Sequence, residues 1–300
     1  MQISTIKEFL SLAEEMSFSQ AAKKHFITQP TLSKHIDSME TELGAKLFVR
    51  DTHSVRLTDI GRLFYERMKT VISEYNTAVL SINNAKKGLE STIKIGYLYG
   101  ACKSFLALAC QQFEALHPQT DLQQYSVEMG EAIPRLKSNE YDLVITAALP
   151  TDSINNLRCK EIYEDRLVAM LSRSHRLSKR SWVSFKDLAN ERILIPSQEA
   201  MPNVYAYFKQ QLGDDKIWGN TEEAFHDIHS SLFFPPSYSA VAVTFAHLKS
   251  SYGANTVFLP IVEIESSFYI SALWKVARET DALLSFVECL RTAYEIQSRQ

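Results

Sequence analysis

Three hundred residues with ordinary apolar content, 45% hydrophobic and 22% charged, are enough for two or three globular domains. The net charge of −3 gives no global attraction to a polyanion, so any case for nucleic acid rests on where the charges sit. Lys7 and Glu8 interrupt the N-terminal apolar residues and no apolar run is long enough for a bilayer; the chain reads as cytoplasmic, without signal peptide or span.

Residues 1–15 read as a first helix, with Ile6, Phe9, Leu10 and Ala13 on its buried face. The next stretch, Ser17–Thr58, reads SFSQAAKKHFITQPTLSKHIDSMETELGAKLFVRDTHSVRLT. It predicts a short helix from about Ser19 to His25, capped by Ser19, with Ala21 and Ala22 small enough to admit a neighbouring helix. A tight turn leads to a second helix. Thr28 is its N-cap, Pro30 lies in the first turn where a missing N–H costs nothing, and Gly44 is its stop. Leu32, Ile36, Met39 and Leu43 recur at helical spacing and face a core. Gln29, Pro30, Ser33 and Lys34 lie on the opposite face near the N-terminal end, the end a recognition helix pushes into the major groove.

From Met16 to Ile36 there is no Asp or Glu, while Lys23, Lys24, His25, Lys34 and His35 are present. Such a window suits phosphates, because each one neutralised releases counterions. Residues 1–91 carry twelve Lys/Arg against eleven Asp/Glu, so local placement carries the argument. Leu47–Arg50 and Val55–Leu57 read as strands around the turn Asp51–Ser54, a wing that directs Arg50, His53 and Arg56 to the sugar-phosphate backbone. The candidate DNA contacts are Lys23, Thr28, Gln29, Pro30, Thr31, Ser33, Lys34, Arg50, His53 and Arg56. The competing reading of this region is a small helical domain that binds protein.

Thr58 opens a long helix to about Lys87, with Asp59 favourable at its positive end and Lys86-Lys87-Gly88 at its stop. Phe64, Met68, Val71, Tyr75, Ala78 or Val79, and Ile82 step by three and four, a heptad-like seam. A lone helix cannot hide such a seam, so a second chain is implied; the alternative is packing on the C-terminal region of the same chain.

The succession SFSQAA, TQPTLSKHI, ELGAKLFVR and VRLTDIG resembles the N-terminus of the LysR-type transcriptional regulators, densely over Ile3–Phe64 and more weakly, in register, to the C-terminus. The resemblance implies a winged helix-turn-helix domain over 1–58 and a linker helix over 59–89 that pairs two subunits antiparallel. It implies an α/β effector domain over 90–300 of two lobes, like type 2 periplasmic binding proteins. The partners it implies are promoter DNA, a small-molecule effector, further copies of the chain as homodimer or homotetramer, and RNA polymerase. Phe26 and Met39 stand where leucine is usual; both are apolar and are read as core positions. His53 stands where arginine is frequent, which makes that contact weaker or pH-sensitive.

From Thr92 the texture changes. Strands at Ile93–Tyr97, Asp121–Val127 and Leu143–Thr146 alternate with helices at Phe105–Leu116 and Glu131–Lys137, a βαβαβ pattern that implies a parallel sheet. Ile162–Leu171 reads as the crossing to a second lobe. That lobe has helices at Ser184–Asn190 and Val204–Leu212 and strands at Arg192–Pro196, near Glu223, at Ala240–Val243 and at Thr256–Pro260. Ser267–Trp274 returns to the first lobe and Ala282–Ile296 is the last helix. The lobes are thus about 90–161 with 267–300, and about 162–266.

Ligands of open α/β sheets sit beyond the carboxyl ends of the strands. That rule selects Tyr97, Leu98, Tyr99, Gly100, Ala101, Cys102, Met129, Thr146, Ser197 and His226 as effector candidates. A helix starting near Ala101 would offer N–H groups to an anionic group. Where family members often place Ser or Thr, this loop is aromatic and apolar, which implies an aromatic or less polar effector or a pocket filled by its own side chains. His226 and His229 beside Glu222, Glu223 and Asp227 are read as structural, since two histidines without a third spaced ligand make weak metal evidence. Cys102, Cys110, Cys159 and Cys289 form no C-x-x-C and are read as ordinary thiols. No G-x-S-x-G, Gly-rich phosphate loop or H-E-x-x-H is present. No enzyme and no cofactor are expected. The rival class is a small-molecule-binding protein or enzyme with a helical N-terminal appendage.

Overall fold

The computed structural model describes residues 1–51, 54–87, 91–150, 152, 154–213, 215–226, 239–265 and 267–299. The chain forms two units: Met1–Gly88 with Ser138–Glu140, and Leu89–Lys137 with Tyr141–Gln300.

Three helices build the core of the first unit: α1 (Ile3–Glu15), α2 (Phe18–Lys24) and α3 (Gln29–Leu43). They enclose Ile6, Phe9, Leu12, Ala21, Ala22, Leu32, Ile36 and Met39. The start of α2 differs from the expected one. Ser17 is the N-cap, its hydroxyl accepting from the Gln20 N–H at 3.4 Å, because Phe18 already packs on the core as a helical residue. Ser19 is therefore left exposed on the helix surface. α3 has the expected limits: Thr28 accepts from the Thr31 N–H at 3.3 Å, and Gly44 ends the helix at φ +66°, a left-handed conformation that glycine adopts at no steric cost; Leu43, expected on the core face, is instead 39% exposed in the last turn.

Phe26 corrects the sequence reading. It sits in the turn between α2 and α3 at φ +55° with its ring 98% exposed. The turn instead directs Ile27 onto the core, while the half-buried His25 bonds through Nε2 to Ser11 Oγ at 2.7 Å. Met39, by contrast, is buried as expected.

The hairpin β1 (Phe48–Asp51) and β2 (Ser54–Leu57) pairs from Phe48↔Leu57 to Asp51↔Ser54. The long helix α4 (Asp59–Lys87) follows. Its inner row, Phe64, Tyr65, Met68 and Ile72, packs on the three-helix core, with Phe64 edge-on to Phe9 at 5.0 Å. The expected seam is corrected to that extent: Phe64 and Met68 face their own chain. Val71, Tyr75, Val79 and Ile82 are exposed, and Ile60 and Leu63 extend the same open row.

In the second unit, β3 (Ser91–Tyr97), the one-turn α5 (Tyr99–Cys102), α6 (Leu106–Leu116), β4 (Thr120–Ser126), α7 (Met129–Lys137) and β5 (Leu143–Ala148) follow in order. β3 pairs parallel with β4 and β5, as expected. The sheet is nonetheless mixed. β6 (Leu157–Asp165) and β12 (Phe268–Lys275) complete the order β4-β3-β5-β12-β6, and β12 runs antiparallel to both neighbours.

The second lobe holds β7 (Leu167–Ser172), α8 (Phe185–Leu188), β8 (Arg192–Pro196), α9 (Pro202–Gln211), α10 (Asp215–Trp218), β9 (Thr221–Phe225), β10 (Ala240–Phe245) and β11 (Thr256–Pro260). Its sheet has the order β11-β7-β10-β8-β9. The chain crosses between the lobes at Arg166 and again between Pro260 and Phe268. The expected boundary after 161 is thus moved, because β12 pairs with β6 as far as Phe268↔Asp165. α11 (Asp281–Gln297) closes the first lobe: Phe286 meets Phe113 of α6 edge-on at 5.4 Å.

Candidate nucleic-acid interface and ligand cleft

The first turn of α3 is held from behind and open in front. Leu32, Ile36 and Met39 fix its inner face, while Thr28, Gln29, Pro30 and Lys34 are exposed and Thr31 and Ser33 half-buried. Lys23 is exposed on α2 beside this turn. Gln29 is not loose: its Oε1 accepts from Ser19 Oγ of α2 at 2.9 Å. Lys24, also on α2, is tied to Glu15 of α1, whose carboxylate raises its pKa.

Arg50, expected as a backbone contact, is engaged within the chain. Its guanidinium reaches Asp37 at 2.9 Å and Glu40 at 3.6 Å, donates to Ser33 Oγ at 3.3 Å, and lies 4.9 Å over the Phe18 ring. It braces the wing against α3. Arg56 is exposed on β2. His53 lies outside the described residues.

The residue that sequence reasoning missed is Glu40. It is 3% exposed, on the third turn of α3. Oε1 accepts from the N–H groups of Leu47 at 2.9 Å and Phe48 at 3.2 Å, and Oε2 from Lys46 Nζ at 2.6 Å. A buried carboxylate is tolerable only when its lone pairs are met in this way. The root of β1 is thereby fixed to the recognition helix. Leu47 is held from its other side as well. Its carbonyl accepts from the Thr58 N–H at 2.9 Å, and an added Cβ on Gly61 of α4 would stand 2.0 Å from that oxygen. Only glycine permits so close an approach. A signal for Glu40 existed, since a carboxylate one residue from Met39 falls beside the apolar stripe, but its partners are backbone groups that no pattern displays.

In the second unit the strand ends converge as the fold rule requires, yet the loop after β3 does not open onto free space. Gly100 lies against the 3-10 turn Ala246–Ser251: an added Cβ would meet Leu248 Cδ2 at 2.9 Å and His247 Cδ2 at 3.5 Å. Ala101 and Cys102 are buried, Leu98 is 5% exposed, and Tyr99 is half-exposed. The expected helix N-terminus near Ala101 is corrected, since α5 is a single turn that ends before Phe105. Tyr163 OH donates to the Ala101 carbonyl at 2.9 Å, and burial pushes that phenol's pKa up. Burial likewise raises the Cys102 thiol and lifts Cys110 to about 11, which suits inert thiols.

Thr146 is buried, and its Oγ1 has no hydrogen-bond partner among the described residues. Ser197 is buried after β8, with its N–H on the Phe225 carbonyl at 2.8 Å. His226 is exposed. His229 lies outside the described residues. Among the described residues no group of three or more His, Cys, Asp or Glu could hold a metal ion.

Met129 lines a cavity of about 120 Å³ between the lobes. Its walls are Ile133 and Pro134 of α7, Leu149, and Met201 to Val204 at the start of α9, with Lys137, Asp152 and Asn203 as polar groups. Asn203 Nδ2 donates to Asp152 Oδ1 at 3.0 Å from the opposite lobe. Burial raises the Asp152 pKa against the opposing pull of this bond and of the Leu149 N–H.

Residues 3–62 match the family described as bacterial regulatory helix-turn-helix protein, lysR family, and residues 86–295 match the LysR substrate binding domain. The transcriptional regulator BenM of Acinetobacter baylyi is 23% identical, over 96% of this chain and 99% of that protein. The regulator ShiR of Corynebacterium glutamicum is 27% identical, over 87% of this chain and 88% of its own. The crystal structure of CbnR, a LysR family transcriptional regulator, has the same fold, with a TM-score of 0.69 at 18% identity over 98% of this chain and 99% of that one. CbnR complexed with its target DNA superposes with a TM-score of 0.67 at 18% identity, over 98% and 100% of the two chains. Both matched families lie in the order and at the places where the helix-turn-helix unit and the two-lobed unit fold. The chain belongs to the lysR family of bacterial helix-turn-helix regulatory proteins, and is a DNA-binding transcriptional regulator with a substrate-binding domain.

Proposed function

We propose that this regulator reads promoter DNA with the first turn of α3 and adjusts that reading to a small effector held between the lobes. It acts in the cytoplasm, as a homodimer or homotetramer, without catalysis, and passes its signal on to RNA polymerase. One observation carries the DNA reading: Gln29, Pro30 and Lys34 stand exposed at the start of a helix whose other face is core, in a window without a carboxylate. Gln29 meets a base edge, and Lys34, Lys23 and Arg56 meet phosphates. Gln29→Ala is expected to relax base preference at one position of each half-site, at a cost of ~1–3 kcal/mol. Lys34→Ala is expected to weaken binding to all sequences and to flatten the salt dependence. Titration of both variants on an enriched and a random duplex checks this. Parent-like binding by both would remove the recognition helix from the interface.

The effector reading rests on the cavity between α7 and α9. Its mainly apolar walls suit a small apolar body, and Asp152, Asn203 and Lys137 at its edge suit one polar group. Gly130 lines it, and an added Cβ there would meet only the Ala200 carbonyl, at 3.8 Å. Gly130→Leu therefore fills the cavity without backbone strain, whereas an enlarged Gly100 would first press on the Leu248 side chain. A screened compound that raises the melting temperature of the parent, as a ligand of the native state must, is expected to leave Gly130→Leu unmoved. Equal stabilisation of both would place the site elsewhere.

A further inference from the structure

We propose that Ser19, on α2, is a positioning residue that holds the Gln29 carboxamide in place for the base pair it meets. The inference rests on the reading that Gln29 meets a base in the major groove.

The argument begins with the side chain itself. A glutamine carboxamide carries an acceptor at one end and two donors at the other. A half-turn about its last bond exchanges them, and with them the bases it selects. An exposed glutamine on a helix is free to make that half-turn. Gln29 is tethered, because Ser19 Oγ donates to its Oε1 at 2.9 Å.

The hydroxyl is a fixed point for three reasons. Ser17 caps α2 in place of Ser19, which leaves the Ser19 hydroxyl without a capping duty. Ala21 and Ala22 are buried beneath it. The turn to α3 is pinned by the Ile27 N–H on the Ala22 carbonyl at 3.1 Å. With Oε1 held towards α2, the amide nitrogen is the free end of the side chain. Its two N–H groups suit the acceptors of the major groove: purine N7, guanine O6 and thymine O4. The second lone pair of Oε1 remains open, so adenine can still be read through N7 and N6 together. Without Ser19 the side chain is untethered, and its carboxamide is no longer presented to the base in one place. Specificity at this base would then be set by a residue ten positions away that touches no DNA.

The experiment uses the full-length chain and duplexes that it enriches from a randomised pool. The enrichment is repeated with Gln29→Ala, Ser19→Ala and Ser19→Thr. Ser19→Ala is expected to lose preference at the same position as Gln29→Ala, and to bind the parent's duplex about 3- to 10-fold more weakly, the worth of one net hydrogen bond. Its affinity for random duplex and its salt dependence should stay those of the parent, and Ser19→Thr should keep the parent's motif. A 7-deazapurine at that position, which lacks N7, should penalise the parent more than Ser19→Ala. The inference is overturned if Ser19→Ala enriches the parent's motif with the parent's affinity. It is overturned equally if Ser19→Ala weakens selected and random duplex alike, because Ser19 is then a backbone contact. Should Gln29→Ala itself enrich the parent's motif, the base-reading assignment fails first and the inference falls with it.

Discussion

Glu40→Ala is expected to destabilise the helix-turn-helix unit by about 1–3 kcal/mol for each of the two buried backbone N–H groups it leaves unmet. Specific DNA binding should be lost with it. The Glu40 carboxylate is the common acceptor for two backbone N–H groups of the wing root and for Lys46, and it lies within reach of Arg50. Alanine leaves the Leu47 and Phe48 N–H groups buried without an acceptor, and an unmet buried donor is costly in itself. Glu40→Gln keeps the shape but turns one acceptor into a donor that faces other donors, so it should fall between. Lys46→Ala is the control: that side chain is 72% exposed, and an exposed partner contributes about 1 kcal/mol or less. Denaturant unfolding followed in the N-terminal unit checks the series. A Glu40→Ala variant as stable as Lys46→Ala would show that the wing is held by hairpin pairing alone.

An acidic residue in the open row of α4 should have an effect of similar size on assembly. Val71, Tyr75, Val79 and Ile82 are between 41% and 60% exposed in the single chain, an apolar stripe on one helix that the proposed pairing of subunits would cover. Tyr75 is a poor site for the test, since Lys7 Nζ lies 5.5 Å over its ring and would neutralise an introduced carboxylate. Val71→Glu and Val79→Glu are cleaner. A charge buried without a partner in the paired state opposes association, so sedimentation should show monomers. Affinity for a duplex with two half-sites should drop by about 10²-fold or more, because the second site no longer binds as a linked event. Dimers that persist in both variants would assign the exposed row to another contact.

Much of the first unit was legible because its signals are local. Thr28, Pro30 and Gly44 announce the limits of α3 by their own chemistry, and the spacing of Leu32, Ile36 and Met39 gives its inner face. Phe26 was misread because hydrophobicity alone assigned it to the core. Only backbone geometry shows that it occupies a left-handed turn with its ring in solvent. Phe64 and Met68 read as part of a seam between chains because the helical period does not reveal which partner a face meets; here that face packs on the three-helix core. In the second unit most strands lie within a few residues of where the sequence places them, but β6 and β7 read together as a single crossing over Ile162–Leu171. The antiparallel return of β12, the burial of the α5 loop beneath the 3-10 turn and the cavity between α7 and α9 are contacts between distant segments, which no window of sequence contains. Glu40 and Arg50 make the same point for charge, because their partners lie across the connection between α3 and β1 and not within one helix or strand.

The peptide of Leu47 has a mechanical meaning. Its N–H is held by α3, its carbonyl by the start of α4, and Gly61 presses on that carbonyl with no side chain between them. Helix, wing and lever therefore meet at one residue, each bonded to its backbone. A torque applied along α4 cannot bend the reading head; it can only carry the head bodily about the helix axis. In a pair of subunits, the quantity left to vary is then the distance and the rotational phase between two unchanged heads. Regulation by such a molecule would be written in the spacing of half-sites along the duplex, where half a turn of DNA reverses the face presented, and the vocabulary of each half-site would be the same in every state.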